Sequence, residues 1–317
     1  MLSASLKKML KIIFYFSLMF YFLHSSSLKI SDAEISSISL HKDLLYISTN
    51  QGKIKIYHLK KQSFLKDISL PKDKDFFGNL IIPKIYQSHT NDHNQTLIVA
   101  SNASSTRDLW LYSNSKLIPL LQNMEIQKAF WINPTQIIIA LLSHEIILYS
   151  TQDHQIHYSH QISQSSLNDC IYNQKDHLIY SAGESGIIYA INPDNGNILQ
   201  TFESHKDRIY QLAFYDQYLI SGGADQKVNL LKLSQGIHTL ESKNIHTNFL
   251  VYAVGAEKGF FAYLANEKGQ INLVSFDLKR HFTLGNIKGI ANTILFYKNQ
   301  IIIGTDSQNI YFFTRSF

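Results

Sequence analysis

The 14 histidines of this 317-residue chain are the first place to look for chemistry. Neutral imidazole ligates transition metals and exchanges protons near neutral pH. The densest group is His154, His157 and His160, next to Asp153. A strand over residues 155–162 alternates faces, so His154 and His160 share a side while His157 points away. One strand therefore cannot close all three around an ion, and the group reads as solvated. His89, Asp92 and His93 lie in a polar stretch and form a looser set of the same kind. The lone cysteine, Cys170, can build neither an intrachain disulfide nor a thiolate cluster. No G-x-S-x-G elbow, P-loop or HExxH is present. Gly222 and Gly223 precede a strand rather than a helix start, so they make no phosphate cradle. No catalytic, cofactor-binding or metal-binding residue is assigned on these grounds.

The elements that carry these residues repeat. A β-rich run, a short polar turn and a second β-rich run recur seven times, as in residues 44–59 (LLYISTNQGKIKIYHL) and 218–233 (YLISGGADQKVNLLKL). Taking the residue before each second run as an anchor gives Gly52, Thr106, His144, Gly186, Gln226, Gly269 and Gln308. Their spacings are 54, 38, 42, 40, 43 and 39 residues, and five of the six match one propeller blade. An apolar run precedes each phrase (209–214, 249–255) and another follows it (64–70, 198–203, 280–285). Runs such as IIIALL and FFAYLA are apolar at every position, which suits strands covered on both faces. The expected fold is all-β, a seven-bladed β-propeller of four-stranded blades preceded by an N-terminal signal helix. The last unit ends without a fourth strand, so residues 28–32 are expected to pair beside residues 309–314 and close the ring.

The fifth unit resembles a WD40 repeat. His205, Ser221 and Asp225 stand where that family places a hydrogen-bonded His–Ser–Asp chain, with Leu231 in place of its tryptophan. The resemblance implies a structural staple within the blade. The fourth unit, IYAINPDNGNILQTFE (188–203), is similar to the repeats of quinoprotein-like propellers, with Gln200 in place of their closing tryptophan. No quinone cofactor is carried over. In size, export signature and degenerate repeat, the chain resembles NapL-type accessory proteins of periplasmic nitrate reductase. That resemblance implies a non-enzymatic role beside a periplasmic molybdenum enzyme, with reductase subunits as partners. The alternatives are an outer-membrane protein assembly propeller and a metal-dependent propeller hydrolase of the lactonase type. A hydrolase of that kind gathers carboxylates around its channel, whereas the inner strands here offer Asp169 and little else.

The N-terminus supplies the export signature. Lys7, Lys8 and Lys11 precede the apolar run 12–23, interrupted only by Ser17, and Ser25 and Ser27 give small residues at cleavage spacing. Twelve helical residues span roughly 18 Å, short of the roughly 30 Å hydrocarbon core. Residues 1–27 are thus read as a signal peptide of the general secretory route, with an uncleaved inner-membrane anchor as the alternative, and residues 28–317 as the propeller. Three of the positive charges behind the formal +5 lie in that segment, and no basic stripe remains for nucleic acid. The expected partners are proteins. The long second unit invests its extra residues in 71–83 and 103–107. There Phe76 and Phe77, set among Lys72, Asp73, Lys74 and Asp75, make a candidate partner-binding anchor together with Arg107. The competing expectation is that both rings fold down over the core.

Overall fold

The computed structural model describes residues 25–314, which form seven four-stranded antiparallel sheets and one two-stranded hairpin. Six sheets are continuous in sequence and laid down from inner to outer strand: blades 1 to 6 occupy residues 35–69, 85–124, 126–161, 167–203, 209–246 and 254–286. The first strand of each blade packs against the first strand of the next, and that of blade 7 against that of blade 1, so the sheets form a ring.

Alternate residues of each strand point to opposite faces of its sheet, and here both faces meet another blade. The core is accordingly divided into seven apolar layers, one between each pair of neighbours. Leu45 and Ile47 face blade 7, while Tyr46 between them faces blade 2. This two-sided burial is why the second strands are largely apolar.

The repeat anchors mark the turns between second and third strands. Gly52, His144, Gly186, Gln226 and Gly269 all have φ between 60° and 76°. A left-handed residue lets the chain reverse there, and His144 and Gln226 accept the steric cost of a side chain in that region. The anchor carbonyl then accepts the N–H of the residue that leaves the fourth strand, as in Leu70 to Gly52 (2.9 Å), Ile162 to His144 (3.0 Å) and Ile287 to Gly269 (2.9 Å).

Blade 7 is completed across the chain. Its first three strands are Ala291–Tyr297, Gln300–Thr305 and Asn309–Thr314, and its outer strand is Ser25–Lys29. Ser25 pairs with Phe313 and Lys29 with Asn309. Ile30 N–H then reaches the Gln308 carbonyl at 2.7 Å, the same exit bond that blades 1, 3, 5 and 6 make within their own sequence. The pairing strand is therefore residues 25–29, three residues earlier than the expected 28–32. The register is set by Leu28 and Ile30, whose side chains join the layer between blades 7 and 1. The expected signal helix lies outside the described residues.

A second belt runs along the inner strands. Each of blades 1 to 5 and 7 carries a bulge one residue after the start of its first strand. The bulge turns a side chain toward the neighbouring blade. Ser36 donates to the Ile85 carbonyl, Gln127 to Asn168 (3.2 Å), Asn168 to Ile209 (2.8 Å) and Asn292 to Ser36 (3.4 Å). Blade 6 departs from this pattern. Its first strand is only Val254–Glu257, and Tyr252 ahead of it meets Tyr210 with ring centroids 4.6 Å apart and planes tilted by 38°.

Candidate interaction face

Connections from each fourth strand to the next first strand lie on one face of the ring, with the turns between second and third strands. We call this the upper face. The extra length of the second unit emerges here as a hairpin, Asp73–Lys74 paired with Leu80–Ile81. Two residues at its tip are held by the Asp75 side chain: Oδ1 accepts the N–H groups of Phe77 (2.9 Å) and Asn79 (2.7 Å), and Oδ2 accepts the Asn79 amide (3.0 Å). Those bonds, that of Asn79 first, hold the Asp75 carboxyl below the usual carboxylate range. Asp73 Oδ2 accepts Ala103 N–H at 2.8 Å, tying the hairpin to the turn of blade 2.

The rings at this tip do not fold down. Phe76 is 97% and Phe77 84% exposed, and they meet edge to face at 5.5 Å. Leu80 and Ile82 add exposed apolar surface. The hairpin is a braced apolar prong, so holding it in place on binding costs little further entropy. Beside it, a shallow groove of about 540 Å³ is lined by Met124, Leu141, Leu142 and their neighbours. Asn102, next to Ala103, donates to Asn123 of this groove at 3.1 Å.

Arg107 is not a free rim cation. Its guanidinium donates to the Ile126 carbonyl (2.6 Å) and Gln127 Oε1 (2.9 Å), and lies 3.9 Å from the centroid of the Tyr86 ring. It braces blade 2 against blade 3 through Nη1.

His205, Ser221 and Asp225 come together. The Asp225 carboxylate can only accept, so His205 Nδ1–H donates to it at 2.7 Å and Nε2 accepts from Ser221 Oγ at 2.8 Å. Asp225 also receives Lys206 N–H and lies 3.4 Å from Lys227 Nζ. A counterpart in blade 4 is absent from the sequence reading. The connection entering that blade has no histidine, and His144 reaches over from the turn of blade 3 instead. Its Nδ1–H donates to the Ser165 carbonyl (3.2 Å), and Nε2 accepts from Ser181 Oγ (2.9 Å). Ser181 and Ser221 hold the same place in their second strands, which was the signal available.

The central channel is a cavity of about 770 Å³ lined by the inner strands. Three of its polar side chains tie neighbouring inner strands together. Gln87 accepts Ala129 N–H (2.8 Å), Asp169 accepts Leu212 N–H (2.8 Å) and Gln211 accepts Val254 N–H (2.9 Å), all from one strand position. Asp169 is also paired with Lys128, Nζ to Oδ1 2.9 Å, a partner that the sequence reading did not find. Cys170 lies next to it, and burial pushes its thiol far above the ordinary range.

The histidine groups do not converge. His154 is in the turn before the strand Gln155–Gln161, with φ of 59°, and so does not share a strand face with His160. His157 pairs with Asp153 at 3.0 Å. Among the described residues, no three His, Cys, Asp or Glu side chains gather as a metal site would require.

Burial instead makes several histidines sensitive to acid. His89 accepts Trp131 N–H at Nδ1, and burial in the channel wall lowers its pKa to about 4. His144 is likewise lowered to about 4 by burial, and His205 is lowered by burial against the pull of Asp225. All three folded-state values lie below that of a free histidine, so the unfolded chain takes up protons first as pH falls. For His89 and His144 stability is complete above about pH 6.5 and declines toward pH 4, by on the order of 1 kcal/mol per pH unit each, and His205 acts in the same direction. Melting curves between pH 7.5 and 4.5 should show this loss, with a shallower slope for His144→Gln. A flat melting temperature across the window would contradict the assignment.

No family model and no curated protein sequence matches the chain. Among solved structures it is similar to the WD40 β-propeller domain of Doa1, with a TM-score of 0.70 and 15% identity over 93% of this chain and 97% of that one. The chain has the fold of a WD40-type seven-bladed propeller.

Proposed function

We propose that the protein is an exported, non-catalytic propeller that serves as an interaction platform or assembly factor, with the Phe76–Phe77 prong as its docking element. The observation that carries this reading is the prong. Two phenylalanines almost fully in water, on a hairpin braced by Asp73 and Asp75, are costly to leave uncovered unless a partner covers them. The channel supports the same reading, because Gln87, Gln211 and the Lys128–Asp169 pair are occupied in holding blades together.

The finer reading is an accessory role in the periplasmic nitrate reductase system, resting on the resemblance in size, repeat and N-terminal signature to NapL-type proteins. Crosslinking in intact cells followed by affinity purification tests both levels. The expected result is a protein partner outside the cytoplasm, with reductase subunits among the adducts. Recovery of the propeller alone after efficient crosslinking would overturn the platform reading. A different exported partner would overturn only the nitrate reductase assignment.

A further inference from the structure

The polar stretch around His89, Asp92 and His93 ends in Asn94-Gln95-Thr96, and Asn102-Ala103-Ser104 follows one strand later. Both read Asn-x-Ser/Thr, the acceptor pattern for N-linked sugar on exported proteins, whereas Asn133-Pro134-Thr135 is excluded by its proline. The structure separates the two. The Asn102 carboxamide is built into blade 2. Its nitrogen donates to Thr106 Oγ1 and Asp108 Oδ1, both at 2.8 Å, and its oxygen accepts the N–H groups of Ser104 (3.0 Å) and Thr106 (3.1 Å). A sugar on that nitrogen would take a donor from Asp108, a buried carboxylate.

Asn94 has no such duty. Its turn joins the strands Ile85–Thr90 and Thr96–Ser101 and is shaped by Asn91. The Asn91 Oδ1 accepts the N–H groups of His93 and Gln95, both at 3.0 Å, and its amide nitrogen donates to Gln95 Oε1 at 2.8 Å. Asn94 takes φ of 57° there, a conformation that asparagine tolerates, and gives its backbone N–H to the Asn91 carbonyl at 3.0 Å. Its side chain is exposed and makes no hydrogen bond among the described residues. Asp92, two residues ahead, adds an exposed carboxylate that lies 3.9 Å from Lys42 and is open to a cationic enzyme groove.

We propose that Asn94 carries an N-linked oligosaccharide. This rests on the export reading above, because the sugar donor, a polyprenyl-pyrophosphate oligosaccharide, is used outside the cytoplasm. In the transfer, Asn94 Nδ2 bonds to the anomeric carbon. The bond from that carbon to the pyrophosphate oxygen breaks, its electron pair leaves with the pyrophosphate, and the amide gives one proton to a base of the transferase. Thr96 sets the timing. Its hydroxyl belongs to the motif the transferase reads, yet in the folded blade Thr96 is 1% exposed and shares a hydrogen bond with Thr90 Oγ1 at 2.9 Å. The sugar is therefore added before the strand Thr96–Ser101 closes on its neighbours, and the finished propeller keeps it in water.

Turns from first to second strands lie on the lower face, opposite the prong. Asn91, Asp92 and His93 line the channel mouth there. A glycan on Asn94 covers that mouth and leaves Phe76 and Phe77 bare, so it confines protein partners to the upper face.

Mass spectrometry of the native full-length protein, taken from the exported fraction, tests this. Trypsin releases both motifs in one peptide, residues 85–107, and electron-transfer fragmentation locates the sugar within it. The expected result is an oligosaccharide on Asn94 and an unmodified Asn102. Asn94→Asp, which suits the same turn, should lose the whole glycan mass. An exported chain with bare Asn94, or with its sugar on Asn102, would overturn the proposal and leave export standing. An unmodified chain confined to the cytosol would overturn the export reading and the glycan with it.

Discussion

A chain beginning at Ile30 is expected to melt about 5–10 °C below one beginning at Ser25 and to associate at concentrations where the longer chain stays monomeric. The cause is confined to one sheet. Without residues 25–29, the strand Asn309–Thr314 loses its outer partner along its whole length. Each ladder bond contributes about 1 kcal/mol net, so a few kcal/mol disappear, and roughly 2 °C follows from each in a chain of this size. The layer between blades 7 and 1 also loses the contact of Leu28. The exposed edge becomes a template for a second molecule, which is the source of the association. Scanning calorimetry and light scattering on the two chains measure both effects. Equal melting and equal monodispersity would mean that the ring does not depend on this strand.

The second large effect falls on binding and spares the fold. Changing Phe76 and Phe77 together to alanine should weaken partner capture by at least about 30-fold, since buried aromatic anchors commonly contribute 2 kcal/mol or more at an interface. Melting should stay within the equivalent of about 0.5 kcal/mol, because both rings are in water before binding. The two readouts separate this reading from the alternative in which the rings cap the core. Capping residues would lower stability when truncated, and any loss of binding would follow from unfolding. Asp73→Ala makes a useful companion, since it frees the hairpin from Ala103 while leaving both rings in place. It should weaken capture less than the double change.

The parts of the architecture legible in sequence are those that repeat. The spacing of Gly52, Gly186 and Gly269 marked the turn before each third strand, and the structure places them there with left-handed φ. His205, Ser221 and Asp225 were legible because the three lie in one blade at a recognisable spacing. Contacts made between blades were not. His144 serves blade 4 from blade 3, and Lys128 meets Asp169 across the same boundary, so neither pair shares a local pattern. Arg107 stood near a predicted surface turn, but its reach to Ile126 depends on how two sheets pack. The closing strand was anticipated at residues 28–32 and lies at Ser25–Lys29. Its serines carry no alternation, and the signature of a cleavage site overlapped the one that marks a strand. The direction of Phe76 and Phe77 likewise depended on Asp73 and Asp75 bracing the hairpin upright, bonds that composition alone does not reveal.

The most direct test of the account is photo-crosslinking from position 77, with a light-activated amino acid in place of Phe77, beside a control at Lys175 on the lower face. The account predicts a discrete protein adduct from position 77, diminished by Phe76→Ala, and none of the same mass from position 175. Absence of any protein adduct from position 77, or an identical set from both faces, would contradict it.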